Sequence, residues 1–319
     1  MVTAEQVKSL VKAYVERNDD YFKTVVLQIA AHEAKVGHDK VARELKQQVD
    51  KITKNRTKII QLSTTNPLFH MTFPSSKISE LVTSDEIYDK IARILNEYRN
   101  KNKLYSFGLA NRRKILLEGL PGTGKTMTAS IIASELSLPL YVVQMDKLVS
   151  KFMGETSVKL RQVFDHIYSE TGVYLFDEFD AIAADRNLDN EVGEMKRILN
   201  SLLQFIEQDN SQSIIIAATN NKKLLDQALF RRFDDILHYD LPNKKEIKLL
   251  LENRLFSYDS RIIINSAAVE SAKGLSQAEI VRVCDDVIKT SILNNSEITS
   301  EQIILLLEER HKMYFYKEA

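Results

Sequence analysis

Residues 114–126 read KILLEGLPGTGKT, and a helical stretch, TMTASIIASEL, starts at Thr126. The run opens with a short apolar strand and closes on the pattern G-x-x-x-x-G-K-[ST], carried by Gly119, Gly124, Lys125 and Thr126. Glycines let such a turn curl until its backbone N–H groups face an anion, and the N-terminus of the following helix adds partial positive charge. Lys125 is then expected to reach the β- and γ-phosphates of a nucleotide, and the Thr126 hydroxyl to bind Mg²⁺. The binding set expected here is Pro121, Gly122, Thr123, Gly124, Lys125, Thr126 and Met127.

Outward from this loop, short apolar runs alternate with helical segments: LYVVQ at 140–144, VYLFD at 173–177, IIIAA at 214–218 and ILHYDL at 236–241. With KILLE at 114–118 they make five strands. Uninterrupted apolar strands separated by helices imply a parallel sheet covered on both faces. The expected fold is α/β, a P-loop NTPase with a parallel five-stranded sheet, a C-terminal small helical domain and an N-terminal helical module.

VYLFDEFD ends a strand on Asp177 and Glu178. A carboxylate at that strand edge can hold Mg²⁺ through its waters, which is the role expected of Asp177. Glu178 is placed to orient or deprotonate an attacking water.

The flanks differ in texture. Val7, Leu10, Val11, Tyr14 and Val15 fall at helical spacing, followed by helical stretches over about 20–35 and from Val41 to Ile52. Residues 1–62 are therefore expected to be an N-terminal helical module that recruits a substrate or partner. The proline- and serine-containing stretch 63–79, STTNPLFHMTFPSSKIS, is expected to be a linker. The large α/β domain then runs over 80–242 and the small helical domain over 243–319.

These motifs together resemble the AAA+ ATPase superfamily, in the branch that contains katanin, spastin and the membrane-anchored bacterial AAA proteases. The resemblance spans about residues 78–312. It implies ATP and Mg²⁺ as cofactors and hydrolysis of ATP as the reaction. IIIAATNN at 214–221 matches the family's strand-plus-polar element, which makes Asn220 the sensor of the γ-phosphate. ALFRRFDDILHYDLP at 228–242 resembles the arginine-finger segment, with Arg231 and Arg232 paired and without the Pro-Gly spacer many relatives carry. A finger of this kind reaches a neighbouring subunit's nucleotide, so the resemblance implies a homo-oligomer, a hexameric ring. KGLSQAEI at 273–280 resembles the small-domain turn over the adenine, which adds Gly274 to the binding set. Ala278 stands where other branches have a phosphate-sensing arginine, and Gln277 replaces the glycine common at that place. SKFMGETSVKLRQVF at 150–164 resembles the segment that supplies a pore aromatic, here Phe152, and 185–195 is a candidate second pore loop.

A pore aromatic grips varied side chains through apolar area and suits a protein substrate. The chain has 319 residues, with 44 Lys+Arg against 44 Asp+Glu, and this zero balance weighs against nucleic acid as the substrate. No H-E-x-x-H or G-x-S-x-G motif is present, so any peptidase would be a separate partner chain. The six histidines are scattered and suggest no metal site. The single cysteine, Cys284, suits a reducing compartment. Neither a signal-peptide start nor an apolar stretch near the ~18 residues of a membrane span occurs, so a cytoplasmic protein is expected. The expected function is an ATP-driven motor that remodels, unfolds or translocates proteins. The alternatives are an ATP-switched scaffold or regulator of a partner enzyme, and a nucleic-acid-associated ATPase.

Overall fold

The computed structural model describes residues 8, 19–36, 38, 40–46, 66–148, 155–179, 191–220, 230–259 and 261–315. The chain divides into two compact units, Met1–Asn66 and Pro67–Ala319. In the first, helix α1 (Asp19–Lys35) buries Val25, Val26, Ile29 and Ala30 along one side. A further helical stretch covers 40–46. The helix expected from Ala4 and the pore residue Phe152 lie outside the described residues, as does 185–190.

The second unit is built on a sheet of six strands: β1 (Phe69–Thr72), β2 (Lys114–Gly119), β3 (Leu140–Val143), β4 (Val173–Phe176), β5 (Ile214–Thr219) and β6 (Asp235–Tyr239). Their order is β1-β3-β4-β5-β2-β6. The five expected strands are parallel, and β1 joins them antiparallel to β3. This corrects the reading of 63–79 as a linker. Pro67 and Pro74 flank the strand rather than interrupt it, so no ladder donor is lost on an edge where proline is tolerated.

Ring packing holds that edge in place. Tyr141 and Tyr174 stack with centroids 4.7 Å apart, Phe69 meets both edge-on, and His166 lies 4.6 Å from Phe69. The Tyr174 hydroxyl donates to the Glu170 carbonyl at 2.8 Å. It is then an acceptor for the His166 Nδ1–H, also at 2.8 Å.

Side chains alternate across the sheet with the two-residue period of extended chain. Leu116, Tyr174, Phe176, Ile215 and Ala217 face helices α4 (Glu155–Ser169) and α5 (Glu191–Gln208). Ile115, Leu117, Leu175, Ile214, Ile216 and Ala218 face α2 (Asp85–Arg99) and α3 (Lys125–Glu135). β4 and β5 are buried along their whole length, which explains why their sequences carry no polar alternation.

After β6 the chain is helical: α6 (Lys244–Phe256), α7 (Ser266–Ser271), α8 (Gln277–Asn294) and α9 (Ser300–Phe315). α6 starts on a capping box in which the Asn243 side chain accepts from the Glu246 N–H and Glu246 accepts from the Asn243 N–H. Ile247, Leu251, Val283, Cys284, Ile303 and Leu307 fill the core of this part, and Val82 joins them from the chain before α2. Burial pushes the Cys284 thiol up to about 12, so it packs as an apolar residue and is not a nucleophile. No helix among the described residues is long and apolar enough to cross a membrane.

Burial lowers the His166 pKa below its usual value near ~6.5, opposed in part by the Glu170 carboxylate. The folded chain thus holds this ring neutral. Its stabilising contribution is complete above the unfolded-state pKa and is lost as pH falls through the lowered folded value. Urea midpoints measured at pH 7.5 and 5.5 should drop more in the wild-type chain than in His166→Phe. Equal drops would show that His166 does not titrate with unfolding.

Candidate nucleotide site

The sheet register decides which residues meet. Thr219 of β5 pairs with Glu118 of β2, and Phe176 of β4 pairs with Ala217 of β5. The next residues along each strand, Asn220, Gly119 and Asp177, therefore emerge together at the carboxyl edge, where parallel sheets bind ligands. The Phe179 N–H donates to the Ala218 carbonyl at 2.9 Å and fixes the turn that carries Asp177 and Glu178.

Two glycines of the loop meet a steric requirement. At Gly119 a Cβ would lie 2.2 Å from the Tyr239 carbonyl oxygen, so only glycine lets β2 leave the sheet beside β6. Gly122 has φ +76°, and a Cβ there would lie 2.5 Å from Ser276 Oγ. Its carbonyl accepts from the Ala278 N–H at 2.9 Å. The loop is thereby joined to the first turn of α8, and the helical part forms the opposite wall of a cavity of about 930 Å³.

Pro121, Gly122, Thr123, Gly124, Lys125, Thr126, Met127, Asp177, Glu178 and Asn220 all line this one cavity, so the structure brings these expected residues together. Lys125 is buried and its Nζ donates to the Gly119 and Leu120 carbonyls, each at 2.8 Å. Thr126 Oγ1 donates to Asp177 Oδ2 at 2.7 Å. Glu178 is exposed and takes φ +52°, a left-handed conformation uncommon outside glycine. Strain of this kind persists where surrounding structure enforces it, and it concentrates at functional positions.

Three expected residues stand elsewhere. Gly274 does not line the cavity; it lies in the turn after α7 with φ +92° and faces the His311 ring. Arg231 and Arg232 are also outside the wall. Arg231 is exposed and has no ion pair among the described residues, whereas Arg232 is half-buried with its Nε 3.6 Å from Glu207 Oε2.

The turn 273–280, expected over the adenine, supplies Gln277 and Ala278 to the far wall, and the rest of that wall was not anticipated. The whole wall comprises Ser79–Val82, Leu250, Asn253 and Arg254 of α6, and Gln277, Ala278, Val281 and Arg282 of α8. The Tyr88 hydroxyl donates to the Leu81 carbonyl and steadies the first of these segments. Helical spacing of 250, 253 and 254, and of 277, 281 and 282, is the signal that puts each set on one face. The wall mixes apolar Leu81, Val82, Leu250 and Val281 with the cations Arg254 and Arg282. Arg254 is paired with Asp285 at 2.5 Å and Arg282 with Glu279 at 3.1 Å. Apolar side chains and a lysine-bearing glycine loop lining one cavity suit a base and a phosphate chain, respectively.

Residues 115–241 match the model of the family described as ATPase family associated with various cellular activities (AAA). An uncharacterized AAA family ATPase of Sinorhizobium fredii, y4kL, is 34% identical over 95% of this chain and 93% of its own. A putative 26S proteasome regulatory subunit homolog of Methanothermobacter thermautotrophicus is 29% identical over 82% of this chain and 70% of its own. Among solved structures, the FIGL-1 AAA domain superposes with a TM-score of 0.60 over 81% of this chain and 93% of that one, at 19% identity, a likeness of fold. With the phosphate loop, the acidic strand end and the helical wall in one cavity, the chain belongs to the AAA family of ATPases.

Proposed function

We propose that this ATPase binds ATP with Mg²⁺ in the cavity described and works as a ring of identical subunits, a hexamer, that remodels or unfolds proteins. The observation that carries the ring is Arg231. It is exposed, outside its own cavity, and held by no ion pair among the described residues, so its guanidinium is available to a neighbouring subunit. A protein substrate is supported by the archaeal relative's designation as a proteasome regulatory subunit homolog. The zero net charge gives no basis for a phosphate-backbone client. The buried single thiol is consistent with a cytoplasmic setting.

In this reading the loop N–H groups and Lys125 hold the phosphate chain, with Lys125 exchanging its two carbonyl partners for phosphate oxygens. Thr126 and Asp177 present two hard oxygens 2.7 Å apart, a donor set that fits Mg²⁺. When bound, the ion would supply charge neutralisation on the phosphates. Glu178 orients and deprotonates the attacking water, and Asn220 hydrogen-bonds the water or a terminal phosphate oxygen. Phe152, outside the described residues, is the proposed grip on the substrate. The N-terminal helices are proposed to recruit substrate or a partner such as a separate protease.

Glu178→Gln is expected to keep ATP affinity while slowing turnover by about 100-fold or more; turnover at the wild-type rate would remove Glu178 from the role of base. The ring is tested by mixing Arg231→Ala with Lys125→Ala subunits. Each alone should be inactive, and the mixture should regain activity because one contributes the finger and the other the intact cavity. A mixture no more active than its parts would overturn the trans arrangement. Phe152→Ala should preserve basal turnover within about 2-fold, since the proposed grip on substrate takes no part in the proposed hydrolysis. It should abolish stimulation by a permanently unfolded polypeptide, such as reduced carboxymethylated α-lactalbumin. Stimulation equal to wild type would exclude the pore role.

A further inference from the structure

The last residue of β6, Tyr239, reaches both ends of the phosphate loop. Its backbone pairs with Gly119, and its carbonyl occupies the space that a side chain there would need. Its ring joins the apolar layer between the sheet and α3, where its buried hydroxyl lies 2.6 Å from Thr128 Oγ1. Thr128 is fully buried, and its hydroxyl donates to the Gly124 carbonyl at 3.1 Å. A threonine hydroxyl has one hydrogen, so Tyr239 is the donor in the shorter bond. Burial raises the pKa of the Tyr239 hydroxyl above its ordinary value, which keeps that hydrogen in place.

The acceptor at the end of this chain of bonds sits beside Lys125. Gly124 takes φ +102° at the start of α3, and with no Cβ it offers little resistance to rotation of the peptide that follows it. That peptide is planar and trans, so its C=O and N–H point in opposite directions. Thr128 grips the carbonyl twice, through its backbone N–H at 2.9 Å and through its hydroxyl. With the carbonyl drawn into α3, the Lys125 N–H points out of the helix's first turn, where anions bind. A threonine bond to the carbonyl four residues back is ordinary in a helix. The particular feature here is a buried tyrosine from another strand that stops the hydroxyl from rotating away.

We propose that Tyr239 is a positioning residue for phosphate binding: acting through Thr128, its hydroxyl fixes the Gly124–Lys125 peptide so that the Lys125 N–H is aimed at a nucleotide phosphate. This rests on the cavity being the ATP site.

Equilibrium binding of ATP to the full chain, together with spectra of ¹⁵N-lysine-labelled chain, tests it. Tyr239→Phe and Thr128→Val should each weaken ATP binding about tenfold. The double variant should lose no more than either single one, because both cut the same chain of bonds. Thr128→Ser keeps the hydroxyl and should bind like wild type. The Lys125 amide resonance, identified by its absence in Lys125→Arg, should move downfield when ADP is added to the wild-type chain and move less in Tyr239→Phe. A role in packing alone would lower the urea midpoint of Tyr239→Phe while leaving ATP affinity and this shift at wild-type values, which overturns the proposal. Additive losses in the double variant overturn it too, as does a Thr128→Ser chain that binds as weakly as Thr128→Val. Lys125→Ala reports on the cavity separately: wild-type ATP affinity there refutes the cavity as the ATP site, whereas a loss there beside an unchanged Tyr239→Phe refutes only the role of Tyr239.

Discussion

The Ala278 N–H on the Gly122 carbonyl joins the glycine loop directly to the helical part that walls the cavity, and Val82, packed into the helical core from the chain before α2, holds the same two parts together. The Gly122–Ala278 contact is close because both sides are stripped down. Gly122 has no side chain, and Ala278 presents only a methyl 3.1 Å from where a glycine Cβ would be. A long cation at position 278, as other AAA+ branches carry, would have to pass through this approach. The cations of the far wall, Arg254 and Arg282, stand on α6 and one turn along α8 instead.

The legible portion of the site was the portion encoded locally. The loop, the Asp177–Glu178 pair and Asn220 each follow a strand directly, and strand register alone brings them together. Beyond Gln277 and Ala278 the far wall was not legible, because Leu81, Leu250 and Val281 are ordinary apolar residues until long-range packing places them side by side. β1 was hidden for a different reason. FHMT is four residues long and only partly buried, and its two flanking prolines read as a linker until pairing with β3 and the rings of Tyr141, Tyr174 and His166 come into view. Gly274 entered the expected binding set through resemblance, but its positive φ serves the turn before α8 and directs it toward His311.

The two arginines that are equivalent in sequence are unequal in space. Arg232 is drawn down beside Glu207 with one guanidinium nitrogen buried, while Arg231 stays in solvent. The missing spacer between them does not make them interchangeable. Arg232 is tied to Glu207, and Arg231 stands at the surface with no ion pair among the described residues.

Lys125 has a consequence for the energetics of filling the cavity. Its ammonium already has two carbonyl partners at 2.8 Å, so an arriving phosphate does not meet a bare charge. It must displace neutral oxygens that sit in the same loop. The attraction seen from outside is the difference between two good sets of bonds, and much of the gross electrostatic energy cancels. On the proposed role of Lys125, its own loop would offer a ready-made destination for the charge when product departs, an arrangement that favours cycling over retention.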